Sequence, residues 1–182
     1  MQSVQTFAWM RKNHQKIRYF GLGFIEVKIC NDTRMHFYTP KLPQIISEEY
    51  IHNHRYAFAS RVVSGLLSQE IFQITAGDSH IIEQEDRNPH QAVVEVTNDT
   101  LVGVDLVSRH TYAQGSDYFL RPQVFHRVKA DECVTYVTRY GSHRDFADVV
   151  RPVGSIKVCP SNQAIEEDRL WEIVEMMMKC LL

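Results

Sequence analysis

From about residue 20 to about residue 150, the chain consists of short runs rich in β-branched and aromatic residues. Turn-forming residues separate these runs, and no long helical pattern lies between them. This alternation predicts an all-β domain of about nine strands in an antiparallel sandwich or barrel. The predicted strands are Gly23–Ile29, Met35–Thr39, His54–Val63, Gln69–Thr75, Ala92–Thr97, Leu101–Ser108, Asp117–Leu120, Phe125–Ala130 and Val134–Tyr140. The predicted turns are Ala76–Asp78, Arg87–Pro89 and Thr97–Asp99.

Helical patterns lie at the two ends of the sequence. The first predicts a helix over about residues 3–16, with Ser3 as its N-cap. The second predicts a helix over about residues 162–182, where acidic residues favour the start and an apolar stripe follows. That stripe indicates packing against the protein's own sheet, with a partner-binding helix as the alternative. Because no linker or repeat divides the 182 residues, we expect a single domain over 1–182.

Charge and composition exclude several classes of function. The 20 Lys+Arg against 22 Asp+Glu give a net charge of −2, so we expect no nucleic-acid partner. No apolar run is long enough to span a membrane, and the first residues lack the apolar core of a signal peptide. The 4 cysteines are widely spaced without a CxxC pair, which favours free thiols in a reduced, cytoplasmic location.

Among the 9 histidines, His52 and His54 are the most informative, since one residue separates them. On a strand, side chains at i and i+2 point to the same face, so both imidazoles can project into one barrel interior. Two neutral imidazoles on a rigid backbone begin a transition-metal site, although two ligands alone hold a metal weakly. A histidine pair satisfied by local hydrogen bonds is the alternative.

The spacing around this pair resembles the cupin superfamily of double-stranded β-helix barrels. The first cupin motif, HxH followed by a Glu and then a Gly, is matched by His52-Asn53-His54 and Gly65, with Phe58 at the Glu position. The second motif is matched by GSDYFLRPQVFH, in which the interval from Gly115 to His126 is the family interval. Pro122 lies one place later than in the family, and Gln123 stands where a second Gly is usual.

The resemblance implies a cupin-like barrel over about residues 20–150 and a metal held by His52, His54 and His126. This ligand set is similar to that of cupin dioxygenases that use three histidines and no carboxylate. The resemblance therefore implies a non-haem iron dioxygenase acting on a small anionic substrate. Fe(II) is the expected cofactor, with Ni, Mn or Zn as alternatives. A homodimer is also expected, because many cupins are dimers.

Phe58 leaves a second function open. An aromatic ring at the usual carboxylate position either makes a drier metal pocket or fills the space of a lost metal. In the second case the barrel is a non-enzymatic module that binds or sequesters a small anionic metabolite or nucleotide. A metal-free isomerase that uses a histidine as general base is a weaker third hypothesis.

Several further side chains are candidates for the same pocket. Tyr56 shares the strand parity of His52 and His54, so we predict that it lines the pocket as a catalytic phenol. Arg61 and Arg139 are predicted to capture an anionic substrate, together with Phe58 as a lining residue. Parity places Arg55 on the outer face. His36 is a candidate hydrogen-bond donor or general base near the site, with an ordinary hydrogen-bonded histidine as the alternative. Glu70 is a candidate replacement ligand, with a solvated strand position as the alternative, and Glu83–Arg87 is predicted to be a solvated loop.

Overall fold

Among the residues that the structure describes, nine strands hydrogen-bond into one antiparallel sheet that curls back on itself. The computed structural model describes residues 7–42, 50–86, 100–141, 146–155 and 165–179, and of residues 85 and 86 only the backbone. Within these ranges the helices are α1 (Phe7–Asn13) and α2 (Glu167–Lys179). The strands are β1 (Lys16–Phe20), β2 (Phe24–Lys28), β3 (Thr33–Tyr38), β4 (Ile51–His52), β5 (Ala57–Asp86), β6 (Thr100–Ala113), β7 (Asp117–Leu120), β8 (Phe125–Tyr140) and β9 (Phe146–Pro152). The prediction of a mainly β fold is confirmed.

The strand pairings form a closed circuit, which gives the sheet a barrel-like interior. β8 pairs with β4, β4 with β9, β9 with β5, and β5 again with β8. β1, β2 and β3 extend the sheet from the far side of β8, and β6 extends it from β5. Closure of this kind satisfies backbone groups that an open edge would leave unpaired.

Two strands are much longer than the sequence pattern predicts. Gln69–Thr75 and, from Ala57 onward, His54–Val63 are parts of the 30-residue β5. Phe125–Ala130 and Val134–Tyr140 are parts of the 16-residue β8. The predicted turn at Ala76–Asp78 is wrong, because the chain continues there as strand with a register shift between Thr75 and His80. A bulge of this kind bends a strand without ending it. The predicted strand Ala92–Thr97 and the other two predicted turns lie outside the described residues.

The largest apolar cluster lies between the two helices and the β1–β3 part of the sheet. α2 contributes Leu170, Trp171, Ile173, Val174 and Met178 to this cluster, all buried. The apolar stripe of the last helix therefore faces the protein's own sheet, as its spacing predicts. Within the described residues the first helix begins at Phe7 and ends at Asn13. It is shorter than predicted because Lys16 already belongs to β1. The sequence analysis missed this strand.

Gly65 allows β5 to bulge where it crosses β8. Its φ is +80°, and a Cβ at this position would lie 2.6 Å from the Glu132 carbonyl oxygen. The register between the two strands shifts on both sides of Ser64. A side chain at residue 65 would therefore be opposed both by the backbone conformation and by the facing strand.

We predict that Gly65→Ala lowers the free energy of unfolding more than Gly115→Ala does. Gly115 has a similar φ of +86°, but a Cβ there would meet no atom within 4 Å. The control variant should therefore cost about 1 to 2 kcal/mol for its conformation alone. Gly65→Ala should cost at least about 1 kcal/mol more, because the facing backbone must also move. Chemical denaturation measures both values, and equal losses would contradict this account.

Candidate metal centre

The segment that carries His52 and His54 is held between two strands. Ile51 and His52 form β4, which pairs with β9 on one side, while His52 lies opposite His126 of β8 on the other. Residues 53–56 are not strand, so the prediction of a continuous strand from His54 is wrong. The His54 backbone amide instead donates to the Pro122 carbonyl over 3.1 Å. This bond connects the HxH segment to the corner that precedes His126.

The three predicted histidines converge on one point. His54 Nε2 lies 2.8 Å from His126 Nε2, and the ring of His52 lies 4.9 Å from that of His54 and 4.7 Å from that of His126. One ring nitrogen from each of the three residues lies within 4.8 Å of the other two. Residues 72 positions apart in sequence are thus brought together by the β4–β8 pairing.

Burial keeps these imidazoles uncharged. It lowers the pKa of His52 to about 4, partly opposed by a hydrogen bond to the backbone of Tyr50. Burial also holds the pKa values of His54 and His126 well below the usual range, and the neighbouring histidines lower them further. A neutral imidazole keeps a nitrogen lone pair, which is the form that binds a metal.

The donor set fits a transition metal. Imidazole nitrogen suits Fe, Ni, Cu and Zn better than it suits Mg or Ca. Two nitrogens bound at right angles to one metal are about 3.0 Å apart for bond lengths of about 2.1 Å. The 2.8 Å between His54 and His126 is close to that spacing. His52 Nδ1, buried without a hydrogen-bond partner among the described residues, leaves a further polar atom in the cluster unsatisfied.

An apolar wall borders the three histidines on one side. The ring of Phe58 packs edge-on against His54 at 4.8 Å and lies 6.2 Å from His126. Phe58 is buried in a cluster with Leu120 and Val137. These side chains form an apolar surface that excludes water from one side of the histidines.

The histidines open onto a cavity of about 1080 Å³. Its described lining includes several aromatic side chains, six basic residues and two acidic ones. The basic residues are Arg18, Arg34, Arg55, Arg127, Lys129 and Arg139, and the acidic ones are Glu26 and Asp131. Glu26 accepts hydrogen bonds from Arg18 and Arg34, and Glu70, behind the lining, accepts one from Arg127.

A charged network centred on Glu26 forms part of this lining. Glu26 is 3% exposed and accepts hydrogen bonds from Arg18 Nε over 3.0 Å and Arg34 Nη1 over 2.8 Å. Burial works to raise the pKa of Glu26, but the neighbouring His36, Arg34 and Arg18 outweigh it and hold that pKa below its usual range. Glu26 is therefore ionised and fixes the position of Arg34.

Tyr56 lies between this network and the histidines. Arg34 Nη2 donates to the Tyr56 hydroxyl over 2.6 Å, and the Arg139 guanidinium lies 4.6 Å from the centre of the Tyr56 ring. The ring of His54 is 5.7 Å away. Tyr56 and Arg139 both line the cavity, together with His36. His36 Nε2 lies 3.7 Å from Glu26 Oε2, within this network.

The other predicted residues lie in different surroundings. Arg61 is exposed and pairs with Asp117 over 3.2 Å, and it is not among the described residues that line the cavity. Arg55 does line the cavity, so its predicted outward position is wrong, because the parity argument assumed a strand at residues 53–56. Glu70 is buried and accepts hydrogen bonds from Arg109 and Arg127, which leaves it paired away from the histidines.

Two polar residues that support the histidines were missed by the sequence analysis. Asn53 Nδ2 donates to Asp148 Oδ2 over 2.6 Å, and the Asp148 amide donates to Asn53 Oδ1 over 2.8 Å. A backbone bond from Asn53 to Asp148 completes this link between the HxH segment and β9. The second is Gln69, whose amide lies 3.1 Å from His126 Nδ1. Neither contact joins neighbours in sequence, so no local pattern indicates it.

We predict that Asn53→Ala lowers the free energy of unfolding by about 1 to 3 kcal/mol, because it removes two hydrogen bonds from a buried site. Asn31→Ala is the matched control, since Asn31 is exposed and its side-chain oxygen accepts a 3.5 Å bond from Lys28. That control should change stability by less than about 0.5 kcal/mol. Urea denaturation compares the two, and equal effects would show that the Asn53–Asp148 link is not stabilising.

Comparisons with known proteins leave the family of this chain open. No protein-family model matches it, and no curated protein matches it. One solved structure with some likeness is described as "hydroquinone 1,2-dioxygenase PnpCD in complex with Cd2+ and 4-hydroxybenzonitrile". The two chains are 10% identical, the TM-score is 0.36, and the alignment covers 78% of this chain and 79% of the other. A likeness of this size assigns neither a reaction nor a ligand.

No helix among the described residues is long and apolar enough to cross a membrane.

Proposed function

We propose that the cavity is the centre of a cupin-type metal-dependent enzyme, and more specifically of a non-haem iron dioxygenase that acts on a small anionic substrate. The observation that carries this proposal is the convergence of three neutral imidazoles, with one nitrogen of each within 4.8 Å of the others, at the wall of a large cavity. His52, His54 and His126 would hold the metal. When bound, the metal supplies positive charge and open coordination positions.

The side chains around the histidines have separate roles in this proposal. Phe58, with Leu120 and Val137 behind it, excludes water from the reacting atoms. Arg139, which lies over the Tyr56 ring, attracts the anionic group of the substrate. Tyr56, held in place by the hydrogen bond from Arg34, orients the substrate. We leave Arg61 out of the binding site, because it is exposed and paired with Asp117. The homodimer and the cytoplasmic location stay predictions from the sequence.

A second candidate function has an observation of its own. At 2.8 Å, His54 Nε2 and His126 Nε2 can share a proton and satisfy each other without any ion. With Phe58 in place of a carboxylate, such a pair is compatible with a metal-free barrel that binds a small anionic metabolite. Metal content distinguishes the two functions.

We predict that the protein holds about one metal ion per chain, because the three histidines form one set of ligands. The protein is purified without a histidine tag or chelator and reconstituted anaerobically with ferrous iron. His126→Ala should lose most of that metal. His110→Ala is the matched control, because His110 is exposed on β6 and contacts Ser108. Elemental analysis gives the metal content, and oxygen uptake with candidate substrates tests the dioxygenase reaction. Metal content that survives in His126→Ala would overturn the ligand assignment.

We predict that the cavity binds benzoate more tightly than benzamide. Both probes have a ring that suits the aromatic lining, but only benzoate carries the negative charge that Arg139 would attract. Arg139→Gln should weaken benzoate binding by about tenfold, the loss of one charge-assisted contact. Arg61→Gln removes the same charge from an exposed site and should leave binding unchanged. Calorimetric titration measures the affinities. Equal effects of the two substitutions would contradict a specific role for Arg139.

A further inference from the structure

We propose that Gln69 is a positioning residue that sets the tautomer of His126 and thereby the affinity of the histidine cluster for a transition metal. This inference rests on the proposed metal-binding function. Gln69 belongs to neither motif of the sequence, and its contact with His126 arises from the pairing of β5 with β8.

The strand register explains why these two side chains meet. Ile71 lies opposite His126 and Gln69 lies opposite Val128, so Gln69 and His126 are diagonal neighbours on one face of the sheet. Gln69 is 2% exposed, and a buried amide is costly unless it is hydrogen-bonded. Its bond to His126 Nδ1, at 3.1 Å, supplies such a partner.

The proton on His126 decides which of its nitrogens can bind a metal. A neutral imidazole carries one N–H, so a metal on Nε2 requires the proton on Nδ1. In the structure the Gln69 amide nitrogen faces His126 Nδ1, and after a half-turn of the amide its oxygen can accept the Nδ1 proton. A half-turn of the amide exchanges the two groups. Gln69 can therefore support either the His54–His126 hydrogen bond or the metal-binding tautomer.

Gln69 acts behind the site and not within the cavity. His126 is among the described residues that line the cavity, and Gln69 is not. Its effect on a bound metal must therefore pass through the orientation and protonation of His126. Hydrogen-bond partners of metal-binding histidines commonly contribute about 10- to 100-fold in metal affinity.

The test compares two substitutions that differ in hydrogen bonding. Gln69→Glu keeps an acceptor for Nδ1–H, so its affinity for Co²⁺ should stay within about threefold of the wild type. Gln69→Met keeps the approximate size but removes the acceptor, so its affinity should fall by about 10- to 100-fold. Gln73→Met, an exposed position on the same strand, is the control and should change nothing. Titration of metal-free protein against a competing chelator measures the affinities.

A second measurement reads the tautomer directly. In Zn²⁺-loaded wild type, the nitrogen NMR shifts of His126 should report a proton on Nδ1. Circular dichroism verifies that each variant is folded. Absence of Co²⁺ binding by the wild type would overturn the proposed function and this inference with it. Wild-type binding with an unchanged Gln69→Met affinity, or equal losses in both Gln69 variants, would overturn this inference alone.

Discussion

The pairing of β5 with β8 is the interaction on which the rest of the structure depends. It runs from Ala57 opposite Tyr140 to Phe72 opposite Phe125, and it closes the circuit of strands around the cavity. The same register places Ile71 opposite His126, while the other side of β8 places His52 opposite His126. β8 therefore both closes the barrel and brings the histidines together.

Ion pairs made by buried carboxylates favour this register over its alternatives. Glu70 lies directly opposite Arg127 of β8 and Arg109 of β6, and it accepts hydrogen bonds from both. A shift of one residue would turn Glu70 to the other face and separate it from both partners. An unpaired buried carboxylate is strongly unfavourable, so such a shift would be penalised. Glu83, buried and paired with Arg151, has the same effect where β5 meets β9.

The sequence predicts the fold class because short apolar runs and turns alternate along the chain. The meeting of His126 with His52 and His54 is predicted by the resemblance to the cupin motifs, since no periodic pattern joins these residues. It did not predict the length of β5, since the bulge near Gly77 has the composition of a turn. The charged residues Glu83–Arg87 predict a solvated loop, which is wrong for Glu83: it lies buried in β5, where Arg151 neutralises it. The supports of the site, Asn53 and Gln69, depend on strand register, which single-sequence patterns specify only weakly.

The central claim is that the three histidines bind one transition metal together. X-ray absorption spectroscopy of the cobalt-loaded protein tests it most directly, because it reads the ligands from the metal itself. The account predicts a first shell with about three nitrogens and the outer-shell scattering of imidazole rings. A first shell of oxygen alone, without imidazole scattering, would contradict it.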